Sequence, residues 1–182
     1  MVKQFRNIHI YLSLFFLPVA LMYALTGALY IFGVDEDSGA SKHTYTLKAT
    51  IPQGGEIEAM LEYLKANDIA LPRGSEPKLD KKGYLRIGSV HYFAGIKKLG
   101  EGTYDIMVFK RSFIGDIILL HKAKGEWYFN ILAVGFGIAI AILYLSGLII
   151  TLFNSKKNRF IQYVTLIVGS IVSFVLGTLS VL

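Results

Sequence analysis

Residues 5–33 read FRNIHIYLSLFFLPVALMYALTGALYIFG, and residues 118–153 read ILLHKAKGEWYFNILAVGFGIAIAILYLSGLIITLF. Each stretch opens on a histidine, His9 or His121, and each carries a similar phrase towards its end, Leu25-Thr26-Gly27 and Leu145-Ser146-Gly147. A hydrocarbon core of about 30 Å takes roughly 20 consecutive apolar residues to cross. The runs 8–33, 128–153 and 160–182 reach that length with no Asp, Glu, Lys or Arg in their interiors. In a chain of 182 residues that is 53% hydrophobic, three such runs predict a membrane protein.

The charges sort around these runs. All 13 acidic residues lie between Asp35 and Glu126, together with all but five of the 19 basic ones. The five are Lys3 and Arg6 before the first run and Lys156, Lys157 and Arg159 between the second and third. Short basic loops stay cytoplasmic, whereas long segments translocate largely regardless of charge. The predicted organisation is therefore a cytoplasmic start and first transmembrane helix over 1–33 and an outer domain over 34–127. A second span over 128–153, a cytoplasmic loop over 154–159 and a third span over 160–182 follow. In a bacterial inner membrane the outer side is the periplasm. The net charge of +6 follows from this topology and gives no reason to expect a nucleic-acid partner. The first apolar run exceeds the 7–15 residues of a signal-peptide core, although Ser38-Gly39-Ala40 has the small residues of a cleavage site.

Within 34–127 the pattern changes. In 44–51, TYTLKATI, Tyr45, Leu47, Ala49 and Ile51 alternate with polar residues, the period of a half-buried strand. Ile57, Met60, Leu61 and Leu64 recur at helical spacing, and Glu56 and Glu58 suit the positive end of that helix. Pro72 to Lys82 reads as a polar loop. Strands are expected over 83–96 and 103–110, joined by a glycine-containing hairpin at 97–102. The predicted fold class is thus an α-helical membrane protein with three transmembrane helices and a small α+β domain inserted between the first two.

Ionisable groups at a bilayer are costly, so His9 and His121 are candidate site residues. The chain has no cysteine, which excludes disulfides, thiolate iron–sulfur ligation and covalent haem attachment. A redox centre held by this chain would be non-covalent, and b-type haem on histidine is the simplest. With α-helical rise, His9 falls near the inner end of the first span and His121 near the outer start of the second, on the order of 30 Å apart. They cannot ligate one iron, so a bis-imidazole haem needs a second histidine, most simply from a two-fold mate. Antiparallel helices bring Gly27 to the depth of His121 and Gly147 to that of His9, where each glycine could leave room for a porphyrin or simply pack helices. An interfacial or lipid-headgroup role is the plainer alternative for His9, and capping or hydrogen-bonding the outer domain is that for His121.

Other polar residues have milder readings. His43 reads as a solvated loop residue and His91 as a strand histidine. Asp35, Glu36 and Asp37 could attract ferric iron but also suit a solvated helix end. Tyr11, Tyr23 and Tyr30 could contact a quinone. Trp127 and Tyr128 fit an interfacial aromatic belt. Gly169, Ser173 and Gly177 have the spacing of close helix packing, within the chain or at a dimer face.

Arg6-Asn7-Ile8-His9 leading to Leu25-Thr26-Gly27-Ala28-Leu29 resembles the first helix of PepSY-associated transmembrane proteins. Gly115-Asp116-Ile117-Ile118-Leu119-Leu120-His121, then Gly125-Glu126-Trp127 and Leu145-Ser146-Gly147-Leu148, resembles their next helix, and the insertion resembles a diverged PepSY domain. The resemblance spans nearly the whole chain. It implies an inner-membrane ferric reductase that carries b haem on His9 and His121, with Gly27 and Gly147 beside it. It further implies a homodimer that takes electrons from the quinone pool or the cytoplasm and passes them to periplasmic ferric iron. Such a protein would assist a ferrous iron transporter. The chain departs from larger members in having three spans and two membrane-proximal histidines. A non-catalytic membrane accessory that modulates a peptidase or an iron transporter is the alternative.

Overall fold

The computed structural model describes residues 2–74, 76–149, 151 and 159–182. The element order is α1 (Val2–Ile31), β1 (Ser41–Lys48), α2 (Glu56–Ala66), β2 (Lys78–Leu79), β3 (Leu85–Gly88), β4 (Tyr92–Gly100), β5 (Thr103–Lys110), α3 (Phe113–His121), α4 (Trp127–Ile149) and α5 (Arg159–Leu179). Three of these helices, α1, α4 and α5, are long and apolar enough to cross a membrane. The last residues of the predicted second span and the basic loop up to 158 lie outside the described residues. The chain forms two compact units, Met1–Leu21 with Ile131–Leu182, and Met22–Asn130.

The first unit is helical. Phe16 of α1 and Phe136 of α4 are both buried, with ring centroids 5.9 Å apart. A Cβ on Gly135 would lie 3.7 Å from Phe16 Cζ, in ordinary contact with that ring. Helix α5 has no buried residue. The small residues Gly169, Ser173 and Gly177 therefore do not pack against another described helix, and a Cβ on either glycine would meet open space. In lipid an apolar helix gains no hydrophobic drive from association, so α5 can stand without a protein partner.

The second unit is built on a five-stranded antiparallel sheet of order β1-β5-β4-β3-β2. Helix α2 covers one face, placing fully buried Met60 and Leu64 against Ile87, Ala94, Ile96, Tyr104, Ile106 and Val108. The helical spacing read from the sequence is thus the packed face. The other sheet face carries Phe93, Met107 and Phe109, with the Phe93 and Phe109 rings stacked at 5.0 Å. Ile106, Met107, Val108 and Phe109 of β5 are buried in succession on both faces of the sheet, and all four are apolar.

Several sequence expectations need correction. The strand expected over 83–96 is two strands, β3 and β4, broken at Gly88. There φ is +129°, and a Cβ would come within 2.5 Å of Tyr92 O, so only glycine admits the bend. Strand β4 runs on to Gly100, so the connection to β5 is tighter than 97–102. The loop expected over 72–82 contains β2, whose turn is closed by Asp80 Oδ1 accepting from the backbone N–H groups of Lys82 and Tyr84. The first strand begins at Ser41 and ends at Lys48.

Candidate functional site

The largest departure from the sequence reading concerns His121. It is not the mouth of the second span but the last residue of a separate helix, α3, and residues 122–126 separate it from α4. Ser112 caps α3, its hydroxyl accepting from Gly115 N–H at 3.0 Å and donating to Ser38 O at 2.6 Å. Apolar Ile118 and Leu119 are buried on one side of the helix, leaving His121 half-buried at its end.

His121 Nδ1 lies 2.6 Å from Thr26 Oγ1. The same hydroxyl lies 2.6 Å from Met22 O and 3.3 Å from Tyr23 O, carbonyls of its own helix. A hydroxyl has one hydrogen and can accept at its lone pairs. With that hydrogen directed to the carbonyls behind it, Thr26 accepts from His121, so the proton of the neutral imidazole sits on Nδ1. The Nε2 lone pair then takes no part in this bond and remains a donor for a metal. Tyr23 stacks on the imidazole at 4.3 Å with an interplanar angle of 23°, fixing the ring plane. Gly27 completes the arrangement, since a Cβ there would lie 3.9 Å from His121 Cε1. A cavity of about 260 Å³ lined by Thr26, Gly27, Tyr30, Ile118, His121 and Lys122 opens beside the ring.

The helical unit repeats these parts. His9 Nδ1 lies 3.0 Å from Ser146 Oγ, and Ser146 donates to Leu143 O at 3.0 Å. A Cβ on Gly147 would lie 3.6 Å from His9 Cε1. The tautomer argument is unchanged: Nδ1–H donates and Nε2 carries the lone pair. Thr26 and Ser146 are 1% and 3% exposed, and they are the buried polar side chains among the described residues. Each buried hydroxyl is thus matched to a histidine. The sequence reading selected the glycines of the two repeated phrases and passed over the hydroxyls beside them. A hydroxyl repeated before glycine inside two apolar runs was the available signal.

A Cβ at either glycine would stand in ordinary van der Waals contact with the edge of the imidazole, and Gly27 also lines the cavity beside His121.

The acidic run after α1 is held by cations of the same unit. Glu36 is bonded by Lys122 and, at 2.9 Å, by Lys124. These two ammonium groups, Lys122 first, hold its carboxyl down at about 2. Asp37 pairs with Arg111 at 2.6 Å, and Arg111 also donates to Glu36 O. Asp35 closes a turn with Ser38, and that hydroxyl lowers its pKa. The run therefore ties the end of α1 to α3 and the turn after it. Among the described residues no group of three or more His, Asp or Glu is placed to hold a metal ion.

The remaining histidines also move. His43 lies on β1 opposite Val108, not in a loop, with Nε2 2.8 Å from Ser41 Oγ. His91 sits in the bend before β4, not within a strand, and its Nδ1 meets Asp116 Oδ2 at 2.5 Å. Of the candidate quinone tyrosines, Tyr11 and Tyr30 are exposed, whereas Tyr23 lies against His121. Trp127 and Tyr128 are exposed at the start of α4. No family model, curated protein or solved structure matches the chain.

Proposed function

We propose that this chain is a haem-b oxidoreductase of a bacterial inner membrane. It would act as a homodimer, passing electrons from quinol or a cytoplasmic donor to periplasmic ferric iron in support of a ferrous iron transporter. The carrying observation is the pair of imidazoles whose Nδ1–H groups are anchored on buried hydroxyls. Histidines that bind metals almost always donate their other ring N–H to a fixed acceptor, which sets tautomer and orientation. A histidine that merely rests at an interface has no need of a buried partner. The resemblance to PepSY-associated transmembrane proteins points the same way.

The donor set fits haem b. His9 and His121 would each hold a haem through the imidazole Nε2. Bound there, haem would supply one-electron transfer. The residues of the chain do the rest. Thr26 and Ser146 hold the Nδ1 protons, keeping Nε2 unprotonated. Tyr23 holds the His121 plane, and Gly27 and Gly147 admit the ring edges. The cavity of about 260 Å³ at His121 is smaller than the roughly 300–1,000 Å³ of enclosed ligand sites. It would hold a cofactor edge, with a second protomer enclosing the remainder and offering the opposite histidine.

The test is the absorption spectrum of the full chain, expressed with ample haem and purified in mild detergent. A Soret band that shifts and sharpens on dithionite reduction, and that returns to its oxidised form when ferric citrate is added, is expected. Colourless protein overturns the reading.

A further inference from the structure

A second cleft, of about 420 Å³, opens in the sheet-bearing unit where the chain leaves α2. Its wall includes Arg73, Lys110, His91, Ser89, Tyr92 and Leu71, and no carboxylate lines it. Three other cations of this unit are ion-paired, Arg111 with Asp37, and Lys122 and Lys124 with Glu36. Arg73 and Lys110 have no ion-pair partner among the described residues, and both are exposed.

The cleft is held by its own bonds. Lys110 and Tyr92 are cross-strand partners of β5 and β4, so their side chains leave the same face of the sheet. The Tyr92 hydroxyl donates to Ala70 O at 2.5 Å, tying the segment after α2 to the sheet, and Pro72 in that segment is buried. Ser89 accepts from Tyr92 N–H at 3.2 Å and so fixes the bend that carries His91. Asp116 Oδ2 takes Nδ1 of His91, so this histidine stands at the rim with its own carboxylate partner. A planar guanidinium and an ammonium, neither with a carboxylate partner, thus border one cavity. Paired N–H groups of arginine match the two oxygens of a carboxylate, and anions are drawn to concave sites of one charge.

We infer that the cleft bordered by Arg73, Lys110 and His91 binds a small polycarboxylate, the class of hard-oxygen chelator that keeps ferric iron in solution. The inference rests on the reductase reading for its biological meaning, since it names the form in which ferric iron would be presented. It does not rest on that reading for its chemistry.

Citrate alone, without iron, is the probe, titrated calorimetrically into the full chain in detergent, with inorganic phosphate as a parallel arm. Citrate should bind the wild type. Arg73→Gln or Lys110→Gln should each weaken it by tenfold or more, and the double variant should lose it. Lys65→Gln, on α2 and outside the cleft, should leave it unchanged. All of these side chains are exposed, and an unaltered circular dichroism spectrum establishes the fold of each variant. Absence of citrate binding, citrate binding that survives the double substitution, or phosphate binding as tightly as citrate would each overturn the proposal. The haem-to-protein ratio separates the two readings. Citrate binding by a colourless protein supports the cleft and removes the reductase reading, whereas haem-bearing protein that ignores citrate does the reverse.

Discussion

His9 and His121 carry one arrangement on two kinds of support. In both, Nδ1 meets a buried hydroxyl, the hydroxyl turns its hydrogen to its own helix, and a glycine accepts the Cε1 edge. His9 lies within a long apolar helix. His121 ends a short one, stacked on Tyr23 and followed by Lys122, which bonds Glu36 and lies over the Tyr30 ring at 4.5 Å. The bond at Thr26 is the shorter, 2.6 against 3.0 Å. The recurring part is the part that sets the tautomer. The part that differs sets how firmly the ring is held and which charges lie near it.

The comparison breaks most decisively at the ligands. His121→Ala and His9→Ala should each remove one class of haem, leaving the absorbance of the other. A pyridine haemochrome assay against protein concentration reads the ratio. Equal haem content in wild type and both variants would show that neither imidazole is a ligand. Loss of all haem from either variant would show that the sites are not independent.

The hydroxyls come next. Thr26→Val removes the acceptor of a buried Nδ1–H, at a cost of about 1–3 kcal/mol for the group left unpaired. Loss of such an outer partner typically weakens metal binding roughly 10–100-fold. Thr26→Ser should restore most of it. Ser146→Ala should act on His9 in the same direction but less, because the bond it removes is longer. Haem transfer to apomyoglobin gives the rates. If Thr26→Val and Thr26→Ser release haem equally fast, the tautomer argument fails.

The glycines are predicted to matter less. A Cβ would stand 3.6 Å from His9 at Gly147 and 3.9 Å from His121 at Gly27, ordinary contact distances. Gly→Ala at either position should therefore keep haem, with a change in stability within about 1 kcal/mol from helix propensity. Leucine at the same positions should displace the imidazole, and Gly147, the tighter of the two, should tolerate less. Haem loss on Gly27→Ala would mean that the cofactor itself, rather than the ring edge, lies against the glycine.

The three apolar runs and the α2 face were legible because each rests on a period repeated over many residues: an uninterrupted span, or Ile57, Met60, Leu61 and Leu64 at helical spacing. The break at Gly88 was not legible, because it is decided by Tyr92 O closing on the Cα, a contact with no local signature. Likewise α3 was hidden. Its residues Ile117–His121 are as apolar as a span, and only the cap at Ser112 and the packing of Ile118 and Leu119 separate it from α4. At the candidate site the histidines and glycines stood out by type and repetition. Thr26 and Ser146 were overlooked because a lone hydroxyl in an apolar helix bonds its own backbone by default. That each also accepts from a histidine 95 or 137 residues away is a tertiary fact.

The smallest effect expected is electrostatic, and it sharpens the contrast between the two supports, because the Glu36 network belongs to His121 alone. Glu36 is lowered from 4.5 to about 2 by Lys122 and Lys124. A depressed carboxylate contributes stability that is present above its unfolded pKa and is lost as pH falls through the folded one. The contribution should therefore be whole above about pH 4.5 and fade towards pH 2. Glu36→Gln should lower the thermal midpoint of the sheet-bearing unit at neutral pH by a few degrees or less. It should also flatten the acid limb between those values, since the pair is partly solvated and screened. Raising salt should shrink the wild-type limb towards that of the variant. Melting curves over that pH range, read by tyrosine fluorescence from the sheet, provide the check. An acid limb equally steep in both proteins would place the titrating group elsewhere and would leave Lys122 with no electrostatic role beside His121.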